Sequence, residues 1–429
     1  MMSKLIVISQ DALVYEDLAY LANLPNYKRL LDACAQIKTL RAIYPTVTYP
    51  IHTSVSTGCY PDRHVITTNE LFRPGTLRNP WHWFAEDIAV PTIFEYAKAA
   101  GLSTAAVFWP VTGNNPYIDY LVDEYWSQSK DDDLEDVFIR SGSSPDVMEK
   151  VVRPNLHILR GHERQHPEAD RFVTSCACDI IRNYQPDLLM IHPAHIDGFR
   201  HMYGLFNEQV NRALDETDLQ LGMIYQALEE TGTFGDTNIV VMSDHGQITI
   251  QRSIALNVCL KEAGFIKTDD RGNLIDWDAY IQSAGLSAQV HLKNRARYDE
   301  LYALLLYWER EGIYGISRVF TSEQARAEER LAWDFDFVLE TDGFTAFNED
   351  WKRPLVHNID ITDWRYGRAT HGCLPDKGPQ PTMIAAGPAF RSGVQLERRP
   401  IVDLTATFSR VLGFDMPGID GKAVEEILC

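Results

Sequence analysis

The chain of 429 residues lacks a cysteine framework. Its seven cysteines, at positions 34, 59, 176, 178, 259, 373 and 429, are odd in number and show no CxxC spacing. That argues against a disulfide scaffold and against a cysteine-based zinc site. Long apolar runs are also missing, and none approaches the ~20 residues that a membrane-spanning helix needs. The opening stretch MMSKLIVISQDALVYEDLAYL has no basic start, long apolar segment or small-residue cleavage site of a secretory signal. The expectation is a cytoplasmic protein with no membrane partner. Positive charge is in deficit too, with 40 Lys and Arg against 60 Asp and Glu and a net charge of −20. Proteins that bind nucleic-acid polymers carry a basic footprint, and this chain carries the reverse. An anionic substrate would need something locally positive to hold it, and a bound metal ion is the obvious candidate.

What is present is ordinary globular composition, 45% hydrophobic and 23% charged. Short apolar runs alternate with helical patterns. KLIVIS at 4–9 reads as a buried strand leading to Asp11. TIFEYAKAAG at 92–101 reads as a helix stopped by Gly101. Buried strands are expected at 103–109, 187–192, 238–246 and 381–387, with long helices at 168–183 and 206–231. Such alternation predicts an α/β fold with a mostly parallel sheet covered by helices on both faces. Its site should lie beyond the C-terminal ends of the strands. Residues 265–350 break the rhythm with polar turns, a helix and a charged aromatic stretch. They are expected to form an inserted cap, with 1–264 and 351–429 forming the catalytic core. No internal repeat or low-complexity linker divides the chain.

Metal-type side chains gather where strands end: Asp11, Asp197 with His201, and Asp244 with His245. His371 adds a fourth group in RATHGCLPD. Asp and His are good zinc ligands, and strand-end loops can collect them from distant parts of a sequence. Asp197 and His201 lie four residues apart, one helical turn, so both can face one ion. Each pair alone also suits a surface ion pair or a buried structural group. Four clusters at one sheet edge are harder to explain that way. The stretch TVTYPIHT at 46–53 raises a related question, because Thr46, Thr48 and Thr53 could all serve as helix caps or one could be a nucleophile.

The order of these groups resembles the nucleotide pyrophosphatase/phosphodiesterase family of the alkaline phosphatase superfamily. Asp11 follows the first strand. Thr48 sits in PTVTYP with TGCYPDRH behind it, then come Asn69, Asp197 with His201, Asp244 with His245, and His371. VFWP at 107–110 and the run THG to GPAF at 370–390 fit the same pattern, and the resemblance covers about 4–262 and 365–429. It implies an alkaline phosphatase-like fold and a hydrolase for phosphate diesters or nucleotide pyrophosphate bonds. It implies two divalent ions, zinc first, with manganese or iron as alternatives. Asp197, His201 and His371 would hold one ion, and Asp11, Thr48, Asp244 and His245 the other. Thr48 would be the nucleophile, and Asn69 would donate to a phosphoryl oxygen. Metal coordination lowers the pKa of bound water from 15.7 to about 7, and a coordinated hydroxyl gains in the same way.

The chain departs from the family pattern at two places. The family often has a tyrosine where His192 stands, and that aromatic together with the one at Tyr49 sandwiches a nucleobase. Here Tyr49 and His192 are the corresponding pair. The family usually has glycine where Ala12 follows Asp11. Thr46 and Thr53 are expected to be caps, and His52 and His64 structural hydrogen-bonders around the nucleophile turn. The alternatives are a phosphonoacetate hydrolase or phosphomonoesterase on the same scaffold, or a non-catalytic metal- and phosphate-binding protein. Phosphonoacetate hydrolysis usually needs extra lysines, and the segment between Asn69 and Pro110 offers only Lys98. Thr48 speaks against a sulfatase, which needs Cys or Ser, and against the phosphomutase relatives, which use serine. The expected partner is a small phosphate ester or nucleotide.

Overall fold

The computed structural model describes residues 4–76, 79–129 and 131–429. Eight strands form the central sheet: β1 (Lys4–Ser9), β2 (Ala35–Arg41), β3 (Thr104–Val107), β4 (Tyr120–Val122), β5 (Leu188–Ile191), β6 (Thr237–Met242), β7 (Met383–Ala386) and β8 (Gln395–Pro400). Their order is β8-β2-β7-β6-β1-β5-β3-β4. Only β7 runs antiparallel to its neighbours β2 and β6. The centre is β1, paired in parallel with β6 and β5 along its apolar residues Leu5 to Ile8. Those residues are buried on both faces, which is why the run is continuously apolar rather than alternating. Burying each such side chain contributes roughly 1.5–3 kcal/mol.

Two apolar layers cover the sheet. Helices Glu168–Tyr184 and Glu208–Glu230 pack on one face with Ile6, Ile8 and Leu189. Helices Thr48–Thr57, Ile93–Ala99 and Asp403–Leu412 pack on the other with Leu5, Val7 and Met190. Parallel strands place the loops that follow β1, β2, β5 and β6 at one edge, and the antiparallel β7 begins there. Asp11, Thr48, Asp197, Asp244 and His371 therefore converge although they lie far apart in sequence.

The rhythm does break after the core strands. An antiparallel sheet of Ala279–Ser283, Ser287–Leu292, Phe337–Thr341 and Ile316–Thr321, in that spatial order, carries helix Tyr298–Glu311. Its apolar core also takes in Ile254, Leu256 and Leu260 from before residue 265, and Trp351 after it. This sheet touches the central site directly. The Leu286 N–H donates to the His371 carbonyl at 2.9 Å, and Gln289 bonds through its side chain to the Thr67 carbonyl at 3.0 Å.

Candidate active site

Thr48 opens the helix Thr48–Thr57, with Val47 extended before it and Pro50 in the first turn. Its hydroxyl lies 3.2 Å from Nε2 of His245. The same Nε2 lies 3.2 Å from Asp244 Oδ2 and 3.5 Å from Asp11 Oδ1. Donor atoms of Asp11, Asp244 and His245 all fall within 4.8 Å of one another. A neighbouring set is built by Asp197, His245 and His371 under the same limit. Asp197 and His201 project from helix His195–Tyr203 one turn apart, with Oδ2 3.0 Å from His201 Nε2. His371 Nε2 is 3.9 Å from Asp197 Oδ1.

The far nitrogens of two of these imidazoles are already committed. His201 Nδ1 faces the Ala369 carbonyl at 2.7 Å, and His371 Nδ1 faces the Thr46 carbonyl at 2.9 Å. Each contact sets the tautomer that leaves Nε2 as a lone-pair donor, the usual second layer around a metal-binding histidine. Asp11 Oδ1, Asp244 Oδ2 and His201 Nε2 are buried with no hydrogen-bond partner. Such orphaned atoms are costly without a ligand, and bound divalent cations would satisfy them.

The electrostatics agree. Burial pushes the Asp11 carboxyl up, and the nearby charges of Asp197 and Asp244 add to it. Burial also raises Asp244. Burial lowers His245 to about 3 and holds His371 well below its ordinary value. Asp197 is the exception: burial opposes its ionisation, but His201, His371 and His245 hold it well below the usual carboxylate range. The lowered imidazoles present neutral nitrogens suited to a cation, whereas the raised Asp11 and Asp244 carboxyls would give up protons when one binds.

The family profile described as type I phosphodiesterase / nucleotide pyrophosphatase matches residues 5–328. The chain belongs to this family. Among curated relatives, venom phosphodiesterase 2 of Crotalus adamanteus is 26% identical over 258 residues, 57% of this chain and 27% of the relative. The human ectonucleotide pyrophosphatase/phosphodiesterase family member 1 is 26% identical over 251 residues, 57% of this chain and 24% of the relative. The match thus spans about a quarter of the length of these relatives. Among solved structures, an inactive form of murine ectonucleotide pyrophosphatase/phosphodiesterase 5 in complex with AMP superposes with a TM-score of 0.68 at 17% identity, covering 100% of both chains. The human form of that protein gives 0.68 at 17%, with 99% of each chain covered. These structures share the type I phosphodiesterase fold.

Within that fold several residues take positions the sequence does not announce. Tyr49 and His192 do not form an open sandwich. Tyr49 is 1% exposed and 5.1 Å edge-on from Trp81, with its hydroxyl on Glu124 at 3.1 Å. His192 is 3% exposed, packs 4.3 Å from the His52 ring, and sets Nε2 3.2 Å from Asp11 Oδ2. It orients the Asp11 carboxylate instead of offering a stacking face.

Thr46 and Thr53 are not helix caps. Thr46 Oγ1 donates to the Cys373 carbonyl and accepts from the Gly372 N–H, both at 3.0 Å, so it ties the His371 loop to the turn that carries Thr48. Thr53 donates back to the Tyr49 carbonyl inside the helix at 2.8 Å. His52 and His64 do bond structurally, His52 to the Thr48 carbonyl and Ser9, His64 to Ser54. Asn69 accepts from the Tyr49 N–H at 2.9 Å through Oδ1, which leaves its amide N–H groups for another partner. Ala12 holds φ at +59°, the left-handed region that glycine adopts more cheaply, and its N–H donates to Asp244 Oδ1 at 3.2 Å. Alanine costs about 1–2 kcal/mol there. The buried Arg200, paired with Asp17 at 2.6 and 2.8 Å and with the Ala12 carbonyl, holds that turn in place.

Three residues near the site carried no sequence signal. Gln247, two residues after His245, donates to Asp197. Glu124 sits between Tyr49 and His192, and burial raises its carboxyl to about 8. Trp364 stacks on His371 at 5.1 Å. Gly372 was visible only as half of an HG pair; at φ +102° its missing side chain leaves room for the Ala284 carbonyl oxygen.

Proposed function

We propose that this protein is a two-metal phosphodiesterase acting on a small phosphate ester or nucleotide through a phospho-threonine at Thr48. The observation that carries the reading is the Thr48 hydroxyl, 3.2 Å from His245 Nε2, at the first turn of a helix and within a buried Asp/His cluster. The residues present fit a pair of cations. Asp197, His201 and His371 would hold one, and Asp11, Thr48, Asp244 and His245 the other, with zinc preferred by the donor types and manganese or iron as alternatives. When bound, the cations supply positive charge that lowers the proton affinity of the hydroxyl and of water and neutralises the phosphoryl oxygens.

The protein's own groups do the rest. The helix N-terminus at Thr48 favours a phosphoryl anion. Asn69, its Oδ1 anchored on the Tyr49 N–H, donates to a non-bridging oxygen. Thr48 Oγ1, its proton given up to solvent, attacks phosphorus; the bond to the leaving alcohol or phosphate breaks, and that group takes a proton from solvent as it departs. Water then attacks the phosphorus of phospho-Thr48, restoring the hydroxyl and releasing a phosphate monoester. His192 and Gln247 keep the Asp11 and Asp197 carboxylates aimed. Lys98 is paired with Asp119 at 2.7 Å, which argues against a phosphonoacetate carboxylate subsite built on it. None of the seven expected ligand positions is missing, which argues against a non-catalytic protein. We keep the cytoplasmic reading as part of the proposal, supported by seven cysteines that are all unpaired thiols. No described helix is long and apolar enough to cross a membrane.

A hydrolysis screen tests the proposal. Bis-p-nitrophenyl phosphate and a nucleotide 5′-p-nitrophenyl ester should be cleaved faster than p-nitrophenyl phosphate or phosphonoacetate. Chelation should abolish the activity, and divalent metal should restore it. Full activity in a metal-free preparation would overturn the whole reading.

We also propose that the sheet between Ala279 and Thr341 caps the site and shapes its substrate pocket. The support is its contact with the His371 loop and with the segment Thr67–Phe72 beside Asn69, where Phe72 stacks on His291 at 3.6 Å. Exchanging its site-facing turn at 284–287 should change the ratio of rates on two diesters by several-fold while metal content stays constant. An unchanged ratio would mean that the sheet is only a support.

A further inference from the structure

One face of the inserted sheet is turned to the segment that carries Asn69. Strands Ala279–Ser283 and Ser287–Leu292 pair so that Tyr280 stands opposite His291 and Gln282 opposite Gln289. Side chains alternate along a strand, so these four share one face. The rung farther from the turn takes Phe72, whose ring stacks on His291 at 3.6 Å and lies 6.1 Å from Tyr280. The rung nearer the turn is made of the two glutamines. Gln282 Nε2 donates to the Glu70 carbonyl at 2.9 Å, and Gln289 Nε2 donates to the Thr67 carbonyl at 3.0 Å. The Thr67 hydroxyl returns a bond to Gln289 Oε1 at 3.2 Å. Both glutamines are buried, at 2% and 3% exposure.

A buried amide is costly unless its hydrogen bonds are made, and apolar side chains would cover this face without that demand. The glutamines match what they meet. Residues 66–69 lie outside any helix or strand, and their backbone is held from outside. The glutamines take the carbonyls of Thr67 and Glu70, on either side of Asn69. The His82 N–H takes the carbonyl of Asn69 itself at 2.9 Å. The Asn69 side chain accepts from the N–H of Tyr49, the residue after Thr48, at 2.9 Å. The inserted sheet thus sets the backbone around Asn69, and the Thr48 helix sets its Oδ1. With both ends fixed, the direction of the remaining amide N–H groups is fixed as well. A donor that meets a phosphoryl oxygen must be held to within about 0.5 Å of its productive place.

We infer that Gln282 and Gln289 are positioning residues for catalysis: they clamp the backbone on both sides of Asn69 and so hold its amide on the phosphoryl oxygen as the transition state forms. The inference rests on the proposed phosphodiesterase reading and adds to it the route by which the inserted sheet reaches the reaction.

A double-mutant cycle on the metal-containing protein tests it. Methionine in place of each glutamine keeps an unbranched side chain of similar length and removes the amide, and Asn69→Ala removes the group that the glutamines hold. Turnover of bis-p-nitrophenyl phosphate, Tm and metal content are measured for each variant. Gln282→Met with Gln289→Met should lower kcat about tenfold in the parent background, with KM and metal content little changed, and by less than about twofold in Asn69→Ala. A merely structural pair would lower Tm and cost the same in both backgrounds. Equal losses would therefore overturn the inference, as would an unchanged kcat in the parent background. Gln282→Met alone leaves both Thr67 bonds in place and runs the same cycle should the double variant not fold. Its expected loss is about threefold in the parent background and none in Asn69→Ala, and equal losses would again overturn the inference. The parent protein judges the underlying reading. Absent turnover would remove the phosphodiesterase reading and the inference with it, whereas turnover with equal losses removes the inference alone.

Discussion

Thr48→Ala is expected to lose at least ~10³-fold in kcat, a barrier increase of about 4 kcal/mol, because the covalent route disappears while the groups that bind substrate stay. Thr48→Ser should keep substantial activity, since the hydroxyl is retained. The two neighbouring threonines provide the contrast. Thr53 spends its hydroxyl on the Tyr49 carbonyl of its own helix, so Thr53→Ala should cost the least. Thr46 holds the Gly372 N–H and the Cys373 carbonyl. Thr46→Ala leaves a buried donor unpaired, at about 1–3 kcal/mol, and loosens the loop that carries His371. Its expected loss is about tenfold, with a lowered Tm that Thr48→Ala does not share. A phosphate or vanadate adduct should be trappable on Thr48 Oγ1 and visible by mass spectrometry or crystallography. Equal losses at all three positions would make the stretch structural. A Thr48→Ala variant at near-parent rate would mean that water attacks directly.

Asp244→Ala and His371→Ala should each lower metal content from about two ions per chain towards one, and each should reduce turnover by several orders of magnitude. The two variants should empty different sites. In the proposed assignment Asp244 goes with Asp11 and His245 beside Thr48, whereas His371 goes with Asp197, which also contacts His201. His371 is also sandwiched between Trp364 and His245, at 5.1 and 3.9 Å. His371→Gln, which keeps more of that volume, separates loss of a donor from loss of packing. Elemental analysis of the folded variants is the measurement. Stoichiometry that stays at two in both would show that the ligand sets are misassigned.

Core strands β1, β3, β5, β6 and β7 were legible as short apolar runs, whereas β2 and β4 were not. KLIVIS becomes β1 with the expected boundaries, and the helices expected at 168–183 and 206–231 form at 168–184 and 208–230. Strand β8 was not legible, because QLERRP is a charged edge strand whose outward side chains follow no apolar alternation. The inserted region hid most of its strands for a related reason. Phe337–Thr341 lies inside a charged, aromatic stretch, and its identity as a strand depends on pairing with Ser287–Leu292 on one side and Ile316–Thr321 on the other.

The division within the site has the same origin. The sequence by itself determined the chemistry on offer: carboxylates and imidazoles at the ends of buried strands, a threonine opening a helix, and the order that marks the family. Those follow from local pattern, since an apolar run ends where a polar residue must meet the sheet edge. Only the tertiary structure decided how the side chains are used. It turned His192 from a stacking face into the partner of Asp11, made Thr46 a latch on the His371 loop, and enclosed Tyr49 behind Trp81. Each of these roles depends on a contact between separate parts of the chain, from 32 residues between Tyr49 and Trp81 through 181 between His192 and Asp11 to 327 between Thr46 and Cys373. Such contacts are set by the stacking of loops above the sheet, and spacing along the chain carries no trace of them.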